Sequence, residues 1–289
     1  MTANLEPGLA ARAHRALEPL HSMIYFAPEA EEQYTAAGLR PGRMGYFASR
    51  SAAMGAVTPG VTAATFYNFN PELVARHLPR AWTLTTPTEL LAARLRAADL
   101  SLRRLLGEAI DSPELSEAAN LAREATTALQ PAGRPLYAAH ADLPWPTEPH
   151  LVLWHSATLL REYRGDGHLA ALLGAGLSGV DAIVTHTATG RGFTLESAKL
   201  LRGWSDEQWA AAEDDLKSDG VLDDEGLTDA GNAMRERIES ETDRMDSAGW
   251  LHLGPERTDR IIQLGKSLSR RVVSAGAFPP GVLERAATR

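Results

Sequence analysis

The sequence predicts a mainly α-helical protein, and three features of the chain favour this fold class. Apolar residues recur at spacings of three and four along most of the chain, while stretches that alternate between apolar and polar residues are short. Serine, threonine and proline stand where several periodic segments begin, as they do at helix starts. Glycine and proline stand where these segments end. We therefore expect helices almost throughout, with one small β-wing in the C-terminal part.

Residues 1–130 are predicted to form an N-terminal helical domain. Leu17, Leu20 and Ile24 lie on one face of its first helix. Residues 35–70 contain five glycines and are expected to form turns or closely packed segments. The predicted helices of this domain cover residues 9–26, 71–78, 88–107 with Thr88 as N-cap, and 112–130 with Ser112 and Pro113 at the start.

Residues 131–149 are rich in proline and are predicted to connect this domain to a second helical domain over residues 150–289. The sequence RGDG at 164–167 is expected to interrupt the helices of the second domain. A helix, a turn, a helix, a short acidic wing and a long helix then follow over about 194–245. The predicted helices of this domain cover residues 150–163, 168–188, 194–201, 205–218 and 230–245.

Composition and charge exclude several classes of protein. The chain has no cysteine, which excludes thiolate nucleophiles, disulfides and thiolate-bound zinc or iron–sulfur clusters. Its net charge of −8 opposes broad affinity for nucleic acid or anionic membranes. No apolar run reaches the roughly 18 residues of a membrane span, and the N-terminus lacks the features of a signal peptide. We therefore expect a cytoplasmic protein with no membrane partner.

Several longer motifs are spread over the chain. They include Leu17-Glu18-Pro19-Leu20-His21, Gly45-Tyr46-Phe47-Ala48 with Arg50, Thr65-Phe66-Tyr67-Asn68-Phe69, Gly133-Arg134-Pro135-Leu136, Leu153-Trp154-His155 and the stretch from Leu160 to His168. In these motifs the whole chain resembles a family of helix-turn-helix-containing proteins from GC-rich bacteria of the actinobacterial type. The order of elements over about 194–245 is similar to the winged helix-turn-helix of the MarR type.

This resemblance implies a degenerate winged helix, a homodimer and, in one interpretation, a transcription regulator. The charge of the would-be recognition helix argues against contact with DNA. Residues 205–220 contain six acidic residues and one lysine, a net charge of −5, and the would-be wing contains Asp223-Asp224-Glu225. Because duplex DNA is densely negative and its readers neutralise several phosphates, we regard DNA binding as doubtful.

The densest cluster of polar residues contains the candidate catalytic residues His155, Glu162 and His168. His155 and Glu162 are two helical turns apart and share a face, while His168 is expected to enter from the next helix across a glycine turn. A histidine could act as general base with Glu162 orienting it. The same three groups could instead hold a divalent metal such as zinc, manganese or iron.

Three further residues of this cluster are candidates for ligand binding: Arg161, Arg164 and Asp166. The two arginines could clamp an anionic group through bidentate hydrogen bonds. In a purely structural alternative, Asp166 caps a helix, the arginines brace a turn through Glu162, and His155 is a core histidine. The spacing matches no established metal motif, and the sequence names no cofactor.

A second candidate cluster lies in the N-terminal domain. Aromatic rings with a polar tip, combined with arginines, are what a pocket for a small and partly apolar ligand needs, although they also suit a core wall with an arginine-braced loop. The ligand-binding candidates of this cluster are Tyr25, Arg43, Tyr46, Arg50, Tyr67 and Asn68. If the two halves pack together, both clusters could form one pocket between them.

Two functions follow from these observations. The first is a small-molecule-binding protein, with or without enzymatic activity, on a repurposed winged-helix scaffold with a pocket around His155, Glu162 and His168. The second is a MarR-like, ligand-responsive transcription regulator that binds DNA. The acidic recognition helix favours the first. A match to G-x-G-x-x-G at 174–179 follows a helical segment, so it does not predict a dinucleotide site.

Overall fold

The computed structural model describes residues 6 and 8–280. Over these residues the chain forms fifteen α-helices and no β-strand, which confirms the prediction of a mainly helical protein. None of the described helices alone has the length and apolar content needed to cross a membrane. The helices Pro149–Gly174 and Gly179–Ala188 meet that criterion only as a pair, and they are bent by 99° relative to each other.

The chain forms two compact units, and each unit combines stretches that are distant in sequence. Unit 1 contains the described residues up to Val57, residues 77–167 and residues 243–278. Unit 2 contains residues 58–76 and 168–242, together with Pro279 and Pro280. The sequence-based division at 130 and 150 follows chain order, so it differs from this division into units.

Unit 1 is a bundle of helices around a core of leucine, alanine and aromatic side chains. Its helices are α1 (Leu9–Ser22), α2 (Pro28–Ala36), α3 (Arg43–Ser51), α6 (Pro87–Leu106), α7 (Pro113–Thr126), α8 (Pro135–Ala141), most of α9 (Pro149–Gly174), α14 (Ser247–Leu253) and α15 (Pro255–Ser274). Gly265 of α15 packs against the backbone of Ala16 in α1, where an added Cβ would lie 3.0 Å from the carbonyl oxygen. Close helix packing in this unit therefore depends on small residues.

Unit 2 is smaller, and its helices surround a separate hydrophobic core that includes Trp209. These helices are α4 (Pro59–Phe66), α5 (Pro71–Ala75), α10 (Gly179–Ala188), α11 (Leu195–Arg202), α12 (Asp206–Ser218) and most of α13 (Asp229–Met245). The last residues of α9, from His168, also belong to this unit.

Helix α9 corrects one prediction about residues 164–167. The sequence RGDG does not interrupt the helix, which runs without a break from Pro149 to Gly174. Gly167 provides space for a neighbour, because a Cβ at this position would lie 2.7 Å from Nη1 of Arg134. The glycine therefore reflects close packing of an arginine against α9, and the actual break comes at residues 175–178.

Other helix boundaries also differ from the predictions. The N-cap of α6 is Thr86, not Thr88, and Thr86 and Glu89 form a reciprocal capping box around Pro87. The connector predicted over 131–149 contains helix α8, and residues 35–70 contain all of α3 and α4. Helices α4 and α8 each begin with a proline in the first turn, in segments where no helix was expected. Helix α3 has no such proline and begins after Gly42.

The predicted β-wing does not form as a pair of strands. Residues 221–228 make a tight turn that is closed by one antiparallel bridge between Leu222 and Leu227. Asp223 shapes this turn by accepting hydrogen bonds from the backbone N–H groups of Glu225 and Gly226. Because the turn uses so few residues, no room remains for strands of ordinary length.

Candidate functional site

A group of charged and aromatic side chains lies in the interior of unit 1, and we call it the arginine cluster. Helices α1, α3, α6 and α9 supply most of its members, and Tyr25 follows α1 in a short 3₁₀ turn. The members are His21, Tyr25, Tyr46, Arg50, Arg94, Arg161 and Glu162. The sequence predicted four of these members as ligand-binding residues, namely Tyr25, Tyr46, Arg50 and Arg161. It predicted Glu162 as a catalytic residue.

Glu162 is the central carboxylate of the cluster and is almost completely buried. Arg50 donates two hydrogen bonds to this carboxylate through the side edge of its guanidinium, from Nε to Oε1 at 3.2 Å and from Nη2 to Oε2 at 2.9 Å. Arg161 also donates to Oε1, at 2.8 Å. Burial alone would raise the pKa of Glu162, but the charges of Arg161 and Arg50 hold this pKa well below its usual value. Glu162 is therefore an ionised structural partner of two arginines and is not available as a general base.

A directional chain of hydrogen bonds joins Tyr25 to helix α9. The hydroxyl of Thr158 donates to the carbonyl of Trp154 at 2.9 Å, so Oγ1 of Thr158 can only accept from Nδ1 of His21, at 2.9 Å. Nε2 of His21 then carries a lone pair and accepts the Tyr25 hydroxyl proton at 2.8 Å. Burial and the charge of Arg161 hold the pKa of His21 well below its usual value, which agrees with a neutral ring.

Arg94 differs from the other two arginines of the cluster because no carboxylate of the described residues lies within salt-bridge distance of it. Its side chain is 2% exposed, and its guanidinium carbon lies 5.3 Å from the ring centroid of Trp154 and 5.7 Å from that of Tyr25. Nη1 donates to Ser49 at 3.4 Å, whereas Nε and Nη2 have no hydrogen-bond partner among the described residues. Nε1 of Trp154 is a further buried donor without a partner there.

A small cavity lies beside Arg161, at the edge of the cluster. Its volume of about 10 Å³ is close to what one water molecule needs. Glu18 lines this cavity, with Oε2 at 3.8 Å from Nε of Arg161, and burial raises its pKa. Tyr25, Tyr46 and Arg161 are partly exposed, so the cluster reaches the protein surface on this side.

Two further buried histidines lie in unit 1, on helices α8 and α9. His140 of α8 contacts the carbonyl of Leu136 through Nδ1 at 2.9 Å, and its Nε2 has no partner among the described residues. His155 packs edge-on against Trp145, with 4.7 Å between ring centroids. Burial lowers the pKa of both histidines to about 4, so both are neutral and weakly basic at neutral pH.

The three predicted catalytic residues do not meet. His155 and Glu162 share a face of α9, but His168 is on the same continuous helix and points roughly 120° away from Glu162. His168 hydrogen-bonds to Thr242 at 2.8 Å within unit 2. The prediction that His168 approaches across a turn is wrong, because the helix does not break at 164–167. Within the described residues, no group of three or more His, Asp or Glu side chains is arranged to hold a metal ion.

Two predicted ligand-binding residues of α9 have structural partners instead. Arg164 pairs with Asp243 at 2.7 Å and with Asp246 at 3.3 Å. Asp166 accepts a hydrogen bond from the backbone N–H of Tyr137 at 2.9 Å, at the start of α8. Burial raises the pKa of Asp166 to about 6 and that of Asp246 to about 7.

The second predicted cluster is divided between the two units. Arg43 begins α3 and is partly buried in unit 1, where burial lowers its pKa. Tyr67 and Asn68 lie in unit 2. There the hydroxyl of Tyr67 donates to the carbonyl of Leu177, and the carbonyl of Asn68 accepts from Nε1 of Trp204 at 3.0 Å.

Sequence reasoning missed Arg94, and a usable signal was present. Arg94 lies on the same helical stripe as Leu90, Ala97 and Ala98, all of which are buried. A charged residue inside an apolar stripe is expected to be buried, and therefore to need a partner. His21 lies on the corresponding buried stripe of α1, beside Leu17 and Leu20.

Unit 2 contains a helix, a turn and a helix in the order typical of a helix-turn-helix protein. Helix α11 ends at Gly203, whose φ of +74° is left-handed, and α12 begins with a capping box of Ser205 and Gln208. An added Cβ at Gly203 would lie 2.7 Å from Cδ2 of Leu73. The turn is therefore built for glycine, and it places α12 against the core of unit 2.

Comparison with known proteins agrees with this arrangement. Residues 10–279 match the sequence profile described as "Helix-turn-helix family". Since the match covers most of the chain, the protein belongs to this helix-turn-helix family. No curated protein and no solved structure matches the chain.

Proposed function

We propose that the protein binds a small anionic molecule in the arginine cluster of unit 1. The observation that carries this proposal is Arg94, a buried guanidinium whose Nε and Nη2 donors have no partner among the described residues. A buried polar group without a partner costs about 1–3 kcal/mol. An anion that accepts these hydrogen bonds would recover that free energy.

The geometry of the vacant donors indicates a carboxylate. Nε and Nη2 form the side-on edge of a guanidinium, which matches the two oxygens of a carboxylate. Arg50 holds Glu162 through the same two atoms, so the cluster already contains one example of this pairing. Arg161 lies between Glu162 and Glu18, whereas no carboxylate of the described residues is within salt-bridge distance of Arg94. One surplus positive charge favours a monoanion.

In this proposal the helix-turn-helix is a degenerate, MarR-like winged helix that serves as a scaffold and does not read DNA. The exposed residues of α12 include Asp206, Glu207, Asp214 and Asp215. Lys199 and Lys217 are engaged by Asp206 at 2.8 Å and Asp224 at 2.6 Å. An acidic surface with paired lysines repels phosphate. A homodimer is part of the same proposal, and analytical ultracentrifugation that detects only monomer at micromolar concentration would remove it.

The first experiment measures propionate binding by isothermal titration calorimetry at constant ionic strength. We expect weak, saturable binding with a Kd on the order of millimolar, because few atoms contribute. Arg94→Met should abolish the binding. Arg96→Met is the matched control, since it removes an exposed guanidinium from the same helix. Equal heats of propionate binding in wild type and Arg94→Met would refute the proposal.

The alternative function is a ligand-responsive regulator that binds DNA, and membership of a helix-turn-helix family favours it. A gel shift with short duplex DNA at physiological salt distinguishes the two. Our proposal expects no retained complex in the presence of excess competitor DNA. A complex that survives competition, and that is lost when Lys217 and nearby arginines are replaced, would establish the regulator.

A further inference from the structure

The C-terminal part of helix α15 is exposed and basic, and no carboxylate of the described residues pairs with it. Lys266 and Arg270 are one helical turn apart and share a face with Val273, which is 49% exposed. Arg270 donates to the carbonyl of Lys266 at 3.2 Å. The ion pairs of α15 lie nearer its start, where Arg257 and Arg260 pair with carboxylates of α7.

Two further arginines extend this basic part of the surface. Arg271 is the next residue of α15 and is exposed. Arg15 of α1 is also exposed, and its neighbour Ala16 accepts a hydrogen bond at its carbonyl from Ser269 of α15 at 2.7 Å. The backbone of Arg15 therefore lies beside α15. We call the four exposed cations without a carboxylate partner among the described residues the basic patch: Arg15, Lys266, Arg270 and Arg271.

Helix α12 of unit 2 presents the opposite charge. Glu207, Asp214 and Asp215 lie on one exposed face of this helix, together with the small residue Ala211. Asp219 follows directly after the helix and is exposed as well. None of these four carboxylates forms an ion pair within the described residues, since the two lysines of this region are engaged by other carboxylates. We call these residues the acidic face.

A second copy of this chain is the partner that the charges favour. It supplies four carboxylates without an ion pair for the four cations of the basic patch, and complementary charges steer and align two surfaces. Val273 and Ala211 lie among these charges and can be buried in the contact without the desolvation of a charge. Nucleic acid is a poorer partner, because the net charge of −8 opposes its approach to the molecule.

We propose that two copies of the chain associate through the basic patch of one copy and the acidic face of its partner. This inference rests on the homodimer of the proposed function and names the surfaces that form it. In a two-fold dimer the contact occurs twice, because each copy contributes both surfaces. Helix α12 then contacts protein at the position where a helix-turn-helix protein contacts DNA.

Sedimentation velocity at micromolar concentration, at about 0.1 M ionic strength, compares wild type with two charge-reversed variants. We expect wild type to be dimeric, and both Lys266→Glu/Arg270→Glu and Asp214→Lys/Asp215→Lys to be monomeric. An equimolar mixture of the two variants should form dimers again, because each reversed surface of one variant is complementary to a surface of the other. Restored dimers also show that both variants are folded.

A matched control and a milder variant accompany these measurements. Arg40→Glu/Arg80→Glu changes two exposed arginines elsewhere in unit 1 and should remain dimeric. Lys266→Gln/Arg270→Gln only removes the two charges, so it should weaken dimerisation on the order of tenfold and decides the matter if the reversed variant does not fold. The screening length falls from about 10 Å at about 0.1 M to about 3 Å at about 1 M ionic strength, so the dimer Kd of wild type should rise on the order of tenfold.

Each other outcome overturns the inference at an identifiable step. A wild-type protein that is monomeric in this experiment would refute the inference and the homodimer, whereas propionate binding is measured separately and would stand. Dimers that persist in both charge-reversed variants, or that the mixture does not restore, would refute these two surfaces and leave the homodimer. A gel shift with duplex DNA that is lost in Lys266→Glu/Arg270→Glu would assign the basic patch to nucleic acid instead.

Discussion

Arg50 and Arg94 are chemically identical side chains in one cluster, yet their different surroundings lead us to expect different effects on stability when each is removed. Arg50 neutralises the buried carboxylate of Glu162 through two hydrogen bonds. Arg94 has two buried donors without a partner among the described residues. Removal of the first arginine leaves a buried charge with less compensation, whereas removal of the second takes away a buried charge that has no salt bridge among the described residues and is faced by the rings of Tyr25 and Trp154.

We therefore predict that Arg50→Met lowers the free energy of unfolding by about 3 kcal/mol, near the lower end for a broken buried pair because Arg161 still contacts Glu162. Arg94→Met should leave this free energy unchanged or raise it by about 1 kcal/mol. Urea unfolding of both variants beside wild type measures the difference. Equal losses in the two variants would show that Arg94 is a structural residue.

At this scale the sequence singled out several members of the arginine cluster, and the ligand-binding roles that it assigned to them stay predictions. Tyr25, Tyr46 and Arg50 were expected to line a pocket, and Arg161 to contact an anion, because their residue types suit those tasks. Their convergence was beyond sequence reasoning, since it depends on the packing of helices separated by more than a hundred residues. Arg94 was recognisable as a charge inside an apolar stripe, but whether it has a partner depends on neighbouring helices.

The turn between α11 and α12 illustrates what a glycine contributes at the level of an element. Gly203 combines a left-handed φ with a close neighbour, the side chain of Leu73. Gly190 has a similar φ of +67°, but no atom lies within 4 Å of an added Cβ. The two positions therefore separate the cost of the backbone conformation from the cost of the contact.

We predict that Gly190→Ala lowers the free energy of unfolding by about 1 kcal/mol, the cost of a left-handed backbone for alanine. Gly203→Ala should lower the free energy of unfolding by roughly 1–3 kcal/mol more than Gly190→Ala, because Leu73 must move to accommodate the methyl group. Thermal and urea unfolding of the two variants test this. If Gly203→Ala is as stable as Gly190→Ala, the Leu73 side chain moves aside with no measurable loss of folding free energy, which contradicts this prediction.

Elements were predicted well where hydrophobic periodicity is strong, and their ends were predicted poorly. Helix α12 was expected over 205–218 and forms over Asp206–Ser218 with Ser205 as its N-cap. Gly165 and Gly167 were interpreted as a break in α9, but glycine also permits close approach of a neighbour. Only the position of Arg134 distinguishes these two roles, and that position is set by the fold.

The molecule as a whole contains buried groups whose pKa values depart from their usual ranges in both directions. Burial, as the largest cause, lowers the pKa of four imidazoles and raises that of several carboxyls. The imidazoles are His21, with a pKa well below its usual value, and His140, His155 and His186, each with a pKa of about 4. The carboxyls are Glu18, whose pKa is raised, Asp166, with a pKa of about 6, and Asp246, with a pKa of about 7.

We predict that stability falls as the pH falls from about 6.5 to about 4, because the unfolded chain protonates imidazoles that the fold keeps neutral. The raised carboxyls act in the opposite direction, since the fold holds protons that the unfolded chain releases above its own pKa. Each group changes the free energy of unfolding by up to about 1.4 kcal/mol per pH unit. Four imidazoles outnumber the three raised carboxyls Glu18, Asp166 and Asp246, so the free energy of unfolding shows a net loss in acid.

Urea unfolding at several pH values checks this prediction. Asp246→Asn is the informative variant, because it removes one group that offsets the loss, so its stability should fall more steeply on acidification than that of wild type. A protein that becomes more stable between about pH 6.5 and about pH 5 would contradict the assignment of neutral buried imidazoles.

The hydrogen-bond chain from Tyr25 to the backbone of Trp154 has a consequence for spectroscopy. The Nδ1 proton of His21 lies on a fully buried ring and is bonded to Thr158, so solvent can replace this proton only when α1 separates from α9. Exchange of such a proton is governed by opening of the surrounding structure. The ring proton should therefore give a slowly exchanging downfield NMR signal. The exchange rate of this proton would report how often the interior of unit 1 opens, as the proposed ligand binding requires.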